Sequence, residues 1–161
     1  MSRPPRLPHY QYCGVARYFL TICTQNRVEY FRDAWAVSLV LDQFFYTARE
    51  KRIAVPAYCA MPDHLHLLAE GESERSDLKQ FVNLAKQRAA YRFTKQCGKR
   101  LWQEGYYERV LRVEDNSEEV IRYIVTNPIR GGLVQRVTDY PFWGSSLYSR
   151  EELLAHVGAR T

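Results

Sequence analysis

The residues best suited to chemistry lie in one short segment, 60–69, which contains a histidine pair. His64 and His66 stand two positions apart, and Leu65 and Leu67 alternate with them. Side chains at i and i+2 of a β-strand share a face, so this spacing predicts two adjacent imidazoles with leucines on the opposite face. Two adjacent imidazoles form half of a divalent-metal site. Two unrelated surface histidines would give the same pattern.

A second chemical feature is the pair Tyr123 and Asn127, which stand four positions apart in a helical pattern. Residues at this spacing occupy one face of a helix. An amide oxygen can complete a metal shell, and a phenol can attack a metal-bound phosphodiester. An ordinary phenol is protonated at neutral pH, so a nearby cation would have to favour the phenolate. Amphipathic packing is the alternative role for such a tyrosine.

The elements that must position these residues follow from hydrophobic periodicity. Period-2 runs predict four strands and 3.6-period runs predict three helices. Asn116 begins the third helix, with Glu119 placed as in a capping box, and Pro128 ends it. The order β-α-β-β-α-β predicts an α+β, ferredoxin-like antiparallel sheet with two helices on one face and the other face free. In chain order the predicted elements are Val15–Thr24, Asp33–Arg52, Val55–Met61, His64–Glu70, Ser76–Gln96, Tyr106–Arg112 and Asn116–Pro128.

Length and composition predict a single domain over residues 1–161, with a core from about 7 to 148. A basic N-terminal arm precedes this core. The segment Pro128–Thr161 is expected to be irregular apart from a short helix at Glu151–Val157. No apolar run is long enough to span a bilayer and no signal-peptide pattern is present, so we expect a cytoplasmic protein. The four cysteines form no C-x-x-C pair, which argues against a zinc ribbon and for free thiols.

Basic residues are segregated along the chain, whose formal net charge is +5. Residues 1–28 and 79–103 contain no acidic residue. Such segregation favours a polyanionic partner, most simply nucleic acid, although a solvated helix face would give the same pattern. The candidate DNA-binding residues are Arg3, Arg6, Lys79, Lys86, Arg88, Arg92, Lys95, Lys99 and Arg100.

These motifs together resemble those of the HUH single-tyrosine transposases, and the nearest branch is the REP-associated tyrosine transposases. The likeness extends from about Leu7 to Tyr148. It combines the H-x-H pair on a central strand with a helical tyrosine, and each part alone is weak. The segments that carry the resemblance are Leu7–Tyr12 (LPHYQY), Tyr18–Arg27 (YFLTICTQNR), Met61–His66 (MPDHLH), Leu101–Gln103 (LWQ) and Tyr123–Val134 (YIVTNPIRGGLV).

The resemblance implies an activity and a set of site residues. His64 and His66 would bind Mg²⁺ or Mn²⁺, with Asn127 as third ligand, where insertion-sequence relatives generally carry glutamine. Tyr123 would attack single-stranded, hairpin-forming DNA and give a 5′-phosphotyrosine and a free 3′-OH. A later attack by a 3′-OH would rejoin strands without ATP. The protein would act as a monomer or a homodimer.

Two other functions are compatible with the same residues. A ferredoxin-like sheet can bind single-stranded nucleic acid without catalysis. A metal-dependent phosphodiesterase would use water in place of the tyrosine. Tyr106 and Tyr107 are rival nucleophiles, although packing or stacking on DNA is the simpler interpretation of that pair. Only the transposase-like mechanism gives a covalent protein–DNA adduct.

Overall fold

The computed structural model describes residues 15–158, which form an antiparallel sheet with helices on both faces. The strand order is β4-β1-β3-β2-β5, and every neighbouring pair is antiparallel. The α+β class and the β-α-β-β-α-β order are therefore confirmed. The strands are β1 (Arg17–Cys23), β2 (Ile53–Met61), β3 (His64–Gly71), β4 (Tyr107–Leu111) and β5 (Trp143–Gly144), and the helices are α1 (Ala34–Glu50), α2 (Leu78–Cys97), α3 (Ser117–Val125), α4 (Asn127–Arg130) and α5 (Arg150–Val157).

Helices α1 and α2 cover one face of the sheet, as the sequence predicts. Both pack their apolar stripes on alternate residues of the two central strands, including Leu20 of β1 and Leu65 and Leu67 of β3. The Asp77 side chain caps α2 by accepting a hydrogen bond from the Gln80 backbone N–H, at 2.9 Å. Helix α2 ends at Gly98 (φ +75°), whose left-handed conformation costs glycine little.

The opposite face was expected to be free, and this expectation is wrong. Ile121, Ile124 and Val125 of α3 are buried there against residues of β2, β3 and α5. Asn116 caps α3, but its side chain accepts from the Glu118 backbone N–H (2.8 Å) and not from the Glu119 position. Leaving these apolar side chains in water would expose a large contiguous patch, so the helix packs on the sheet.

The C-terminal segment is also more ordered than the predicted irregular tail. Strand β5 pairs with the outer edge of β2, and a Cβ on Gly144 would lie 2.8 Å from the Tyr58 hydroxyl, so a larger residue there would have to displace the Tyr58 ring. Trp143 is buried in the apolar core between the sheet and helices α3 and α5, and its indole N–H donates to the Val137 carbonyl (3.1 Å). Helix α5 confirms the predicted short helix and begins with a capping box between Ser149 and Glu152.

Three cysteines within the described residues, Cys23, Cys59 and Cys97, are free thiols, as expected. Cys13 lies outside that range. No helix among residues 15–158 is both long and apolar enough to cross a membrane.

Candidate nucleic-acid cleavage site

The β2–β3 hairpin holds the histidine pair. His64 and His66 stand opposite Met61 and Cys59 of β2, and Leu65 and Leu67 point into the α1–α2 core. The expectation that the imidazoles and the leucines lie on opposite faces is confirmed. The Pro62-Asp63 turn is fixed because its two carbonyls accept backbone hydrogen bonds from Phe31 (2.9 Å) and Thr24 (3.0 Å).

Both imidazoles are oriented by hydrogen bonds at Nδ1. Nδ1 of His64 lies 2.6 Å from Oδ1 of Asp63, and Nδ1 of His66 lies 3.0 Å from Oγ1 of Thr21. The two Nε2 atoms face each other at 3.0 Å. Because the Asp63 carboxylate accepts from Nδ1 of His64, Nε2 of that ring presents a lone pair. Such an outer partner fixes the tautomer and orientation of a metal-binding histidine.

The imidazoles are neutral at physiological pH. Burial lowers the pKa of His66 to about 3, and Arg130 and the protonated form of His64 act in the same direction. Burial also lowers the pKa of His64, although its bond to Asp63 opposes the shift. Neutral imidazole is the form that binds metal ions.

Asp63 remains ionised beside this pair. Desolvation favours a higher pKa for Asp63, but hydrogen bonds from Arg27 and His64 outweigh it and hold the pKa below its ordinary value. Arg27 Nε lies 2.9 Å from Asp63 Oδ2. Arg27 and Asp63 thus form an outer layer that orients His64, and sequence reasoning did not identify them.

Tyr123 lies on α3 beside the histidine pair, and its side chain is 47% exposed. The Tyr123 ring makes edge-to-face contacts with the rings of Phe19 and His66, at centroid distances of 5.7 Å and 6.1 Å. Phe19 in turn stacks on His66 at 5.4 Å. The tertiary fold therefore brings the predicted tyrosine next to the predicted histidines while leaving its ring accessible.

Arg130 is a site residue that sequence reasoning missed. Its guanidinium carbon lies 4.0 Å from the centroid of the Tyr123 ring, a cation–π arrangement. The same guanidinium donates to the Tyr123 carbonyl and, at 2.6 Å, to Oγ1 of Thr126. The helix break at Thr126 lies between Tyr123 and Arg130, so helical spacing alone could not have identified this contact.

Asn127 does not share one continuous helix with Tyr123, which corrects the prediction. Helix α3 ends at Val125, and Asn127 begins α4, since Pro128 has no N–H with which to continue the ladder. Gly131 follows α4 and lies close to Met61, the β2 residue that pairs with His64. A Cβ on Gly131 would lie 3.0 Å from Met61 Cε. Asn127 is buried, and its side-chain amide forms no hydrogen bond with the described residues.

The rival tyrosines occupy different environments. Tyr106 is buried in the α1–α2 core, where it cannot meet a nucleic acid. Tyr107 stands opposite Thr21 on β4, which places its side chain on the face of the sheet that carries His66. Tyr107 therefore remains a geometric rival to Tyr123.

The basic residues of α2 do not form one face. Lys86 donates to the Gly105 carbonyl (2.8 Å), whereas Arg88 pairs with Glu50 of α1 (2.6 Å) on the other flank of the helix. Lys95 lies over the Tyr91 ring, and Arg100 donates to the Trp102 carbonyl. DNA contact by these residues stays a prediction, also for Lys79, Arg92 and Lys99. The predicted contacts Arg3 and Arg6 lie outside the described residues.

Within residues 15–158, no three side chains drawn from His, Cys, Asp and Glu come together as a metal-binding group. The buried amide of Asn127 is the candidate third ligand in this part of the chain.

Comparison with known proteins assigns the chain to a family. The model of the IS200-like transposases matches residues 14–127, from the approach to β1 through Asn127. A REP-associated tyrosine transposase of Escherichia coli K12 is 31% identical over 98 residues, which are 58% of this chain and 55% of that protein. The chain thus spans about half the length of this relative. A second protein, from Haemophilus influenzae and assigned to the same group, is 23% identical over 78% of this chain and 77% of its own length.

Solved structures share the fold. A REP-associated tyrosine transposase bound to a REP hairpin superposes with a TM-score of 0.72 at 24% identity, over 89% of this chain and 82% of the other. A protein of Deinococcus radiodurans R1 described as a transposase gives a TM-score of 0.52 at 23% identity, over 79% and 97%. Since the family match covers well over half of the chain and includes the histidine strand and the α3 tyrosine, this chain belongs to the IS200-like transposases.

Proposed function

We propose that this protein cleaves and rejoins single-stranded DNA through a covalent 5′-phosphotyrosine on Tyr123. The observation that carries the proposal is the convergence of two neutral imidazoles, with Nε2 atoms 3.0 Å apart, beside an accessible tyrosine ring. Family membership supports the same activity. The DNA partner is supported by the similar transposase structure, which is bound to a REP hairpin.

The histidine pair fits a divalent cation, Mg²⁺ or Mn²⁺. The two Nε2 atoms lie 3.0 Å apart, so a proton or a cation must lie between them. His64 and His66 would hold such an ion side by side on one strand. Asn127, buried and without a hydrogen-bond partner among the described residues, would supply the third protein ligand. When bound, the cation would withdraw charge from the scissile phosphate.

The protein's own groups account for the bond changes. The Tyr123 oxygen forms a bond to phosphorus and its proton leaves to solvent, while the phosphorus–O3′ bond breaks and the 3′-oxygen takes up a proton. One phosphoester replaces another, so no nucleotide triphosphate is consumed. In the reverse direction a 3′-OH attacks the phosphotyrosine and rejoins a strand. Asp63 and Thr21 hold the imidazoles, and Arg130 holds the tyrosine ring.

A strand-specific labelling experiment tests the proposal. A single-stranded REP hairpin, and a pool of hairpins with randomised flanks, are labelled separately at the 5′ and 3′ ends and incubated with Mn²⁺ or Mg²⁺. We expect the 3′ label to migrate with denatured protein and the 5′ label to appear on a shorter strand ending in 3′-OH. EDTA should abolish both products. Cleavage without an adduct would indicate a water-using phosphodiesterase, and binding without cleavage would indicate a non-catalytic module.

Arg130→Ala is expected to slow adduct formation about 10-fold, because the cation–π contact with the Tyr123 ring is lost together with the hydrogen bonds that fix the guanidinium to the Tyr123 carbonyl and to Thr126 Oγ1. Arg130→Lys should recover only part of the rate, since one ammonium cannot reproduce the planar fork. Single-turnover rates measure the effect. Arg136→Ala, which removes an exposed arginine paired with Asp139, is the matched control. Equal rates for Arg130→Ala and the control would contradict the positioning role.

A further inference from the structure

A pocket of about 380 Å³ borders Tyr123 on the side away from the histidines. Side chains of strand β1 reach both helix α3 and the histidines: Arg17 contacts the first residue of α3, Phe19 contacts Tyr123, and Thr21 bonds His66. The pocket, here called the α3 pocket, is lined by Phe19, by Tyr123 and by residues near the start of α3. Both rings contact His66, so they lie between the pocket and the imidazoles.

The walls of the α3 pocket combine flat apolar surface with polar groups. Phe19, Val120 and Tyr123 supply the apolar part, and Arg109 stands opposite Phe19 on β4. Aromatic rings give stacking surface to nucleobases. A partly apolar pocket of this size beside Tyr123 suits a single unstacked base.

The rim of the pocket offers both donors and an acceptor. The side-chain oxygen Oδ1 of Asn116 accepts a hydrogen bond from the Glu118 backbone N–H, so the side-chain NH₂ group of Asn116 remains to donate. Glu119 forms no ion pair or hydrogen bond with the described residues, and its carboxylate can accept. A carboxylate repels phosphate but accepts hydrogen bonds from the amino group of a base. Because the Arg109 guanidinium pairs with Asp115 (3.4 Å), the other carboxylate of the lining, the rim favours a base edge over the DNA backbone.

The bond that breaks determines which base lies near this pocket. When the phosphorus–O3′ bond breaks, the nucleotide that stays on the protein is the one whose 5′-phosphate is joined to Tyr123. Its base is tethered a few bonds from the tyrosine ring that forms one wall. Resting on the proposed function, we propose that the α3 pocket binds the base of this retained nucleotide and selects bases with an exocyclic amino group over thymine.

Substrates that differ only at the nucleotide 3′ of the cleavage position test the inference. The length of the 5′-labelled product first maps that position, and adduct rates are then measured with A, C, G, T or an abasic site there. The abasic substrate should react about 10-fold more slowly than the preferred base, because stacking is lost. Thymine should also react more slowly than the amino-bearing bases.

Two variants assign the effect to the pocket. Glu119→Gln should reduce the discrimination against thymine to less than about two-fold while adduct formation persists. Glu118→Gln, on the same helix near His156, is the matched control and should keep the discrimination. Equal rates with all substrates in the unmodified protein, or unchanged discrimination in Glu119→Gln, would overturn this inference and leave the proposed function standing. No adduct with any substrate would overturn both.

Discussion

Tyr123→Phe is expected to form no covalent adduct with single-stranded DNA, at any metal concentration. The substitution removes one oxygen, the nucleophile, and keeps the ring that packs on Phe19 and under Arg130. The fold and the affinity for DNA should therefore be preserved. Denaturing gels with 3′-labelled hairpin DNA measure the adduct, and fluorescence anisotropy measures binding.

Tyr107→Phe is the matched control, because Tyr107 lies on the same face of the sheet as His66. We expect this variant to form the adduct at a rate close to that of the unmodified protein. If Tyr107→Phe loses the adduct and Tyr123→Phe keeps it, the nucleophile has been assigned to the wrong tyrosine.

His64→Ala and His66→Ala are each expected to lower the cleavage rate on the order of 10³-fold, since each removes one of the two converging imidazole nitrogens proposed to bind the metal. Asn127→Ala should have a smaller effect, because water can occupy a vacated ligand position. Single-turnover cleavage rates in Mn²⁺ measure the effects of all three substitutions. Binding of Mn²⁺, followed by electron paramagnetic resonance or calorimetry, gives a readout that does not depend on activity.

His156→Ala is the control for these variants, because His156 lies on α5 beside Glu118 and Tyr148, away from the histidine pair. It should retain both cleavage and Mn²⁺ affinity. Thermal unfolding checks that His66→Ala, which empties a buried position, is still folded. Folded His64→Ala or His66→Ala protein with unchanged cleavage would refute the metal site.

Much of this site was predictable because it rests on local periodicity. The strand period of two places His64 and His66 on one face and Leu65 and Leu67 on the other, whatever the strand packs against. The face with the leucines must point into the core, since exposing them to water would lose the free energy gained by burying their apolar surface. The helical pattern from Asn116 likewise locates Tyr123 on a helix. The identity and direction of the main side chains therefore follow from the chain alone.

Contacts between distant segments were not predictable in this way. The amphipathic stripe of α3 shows that the helix must pack on something, but the sequence does not say that it covers the second face of the sheet. The outer partners of the histidines, Thr21 and Asp63, depend on strand register and turn geometry. Pro128 was expected to stop the helix, yet its fixed φ also suits the first turn of α4.

Short-range patterns in the chain were enough to predict paired imidazoles on a strand, a helical tyrosine and the ferredoxin-like order. Tertiary packing places the two Nε2 atoms 3.0 Å apart, joins the His66 ring to Tyr123 through Phe19, and lays Arg130 over the tyrosine. Side-chain burial and ring contacts depend on how strands and helices pack together, and local periodicity does not set those distances.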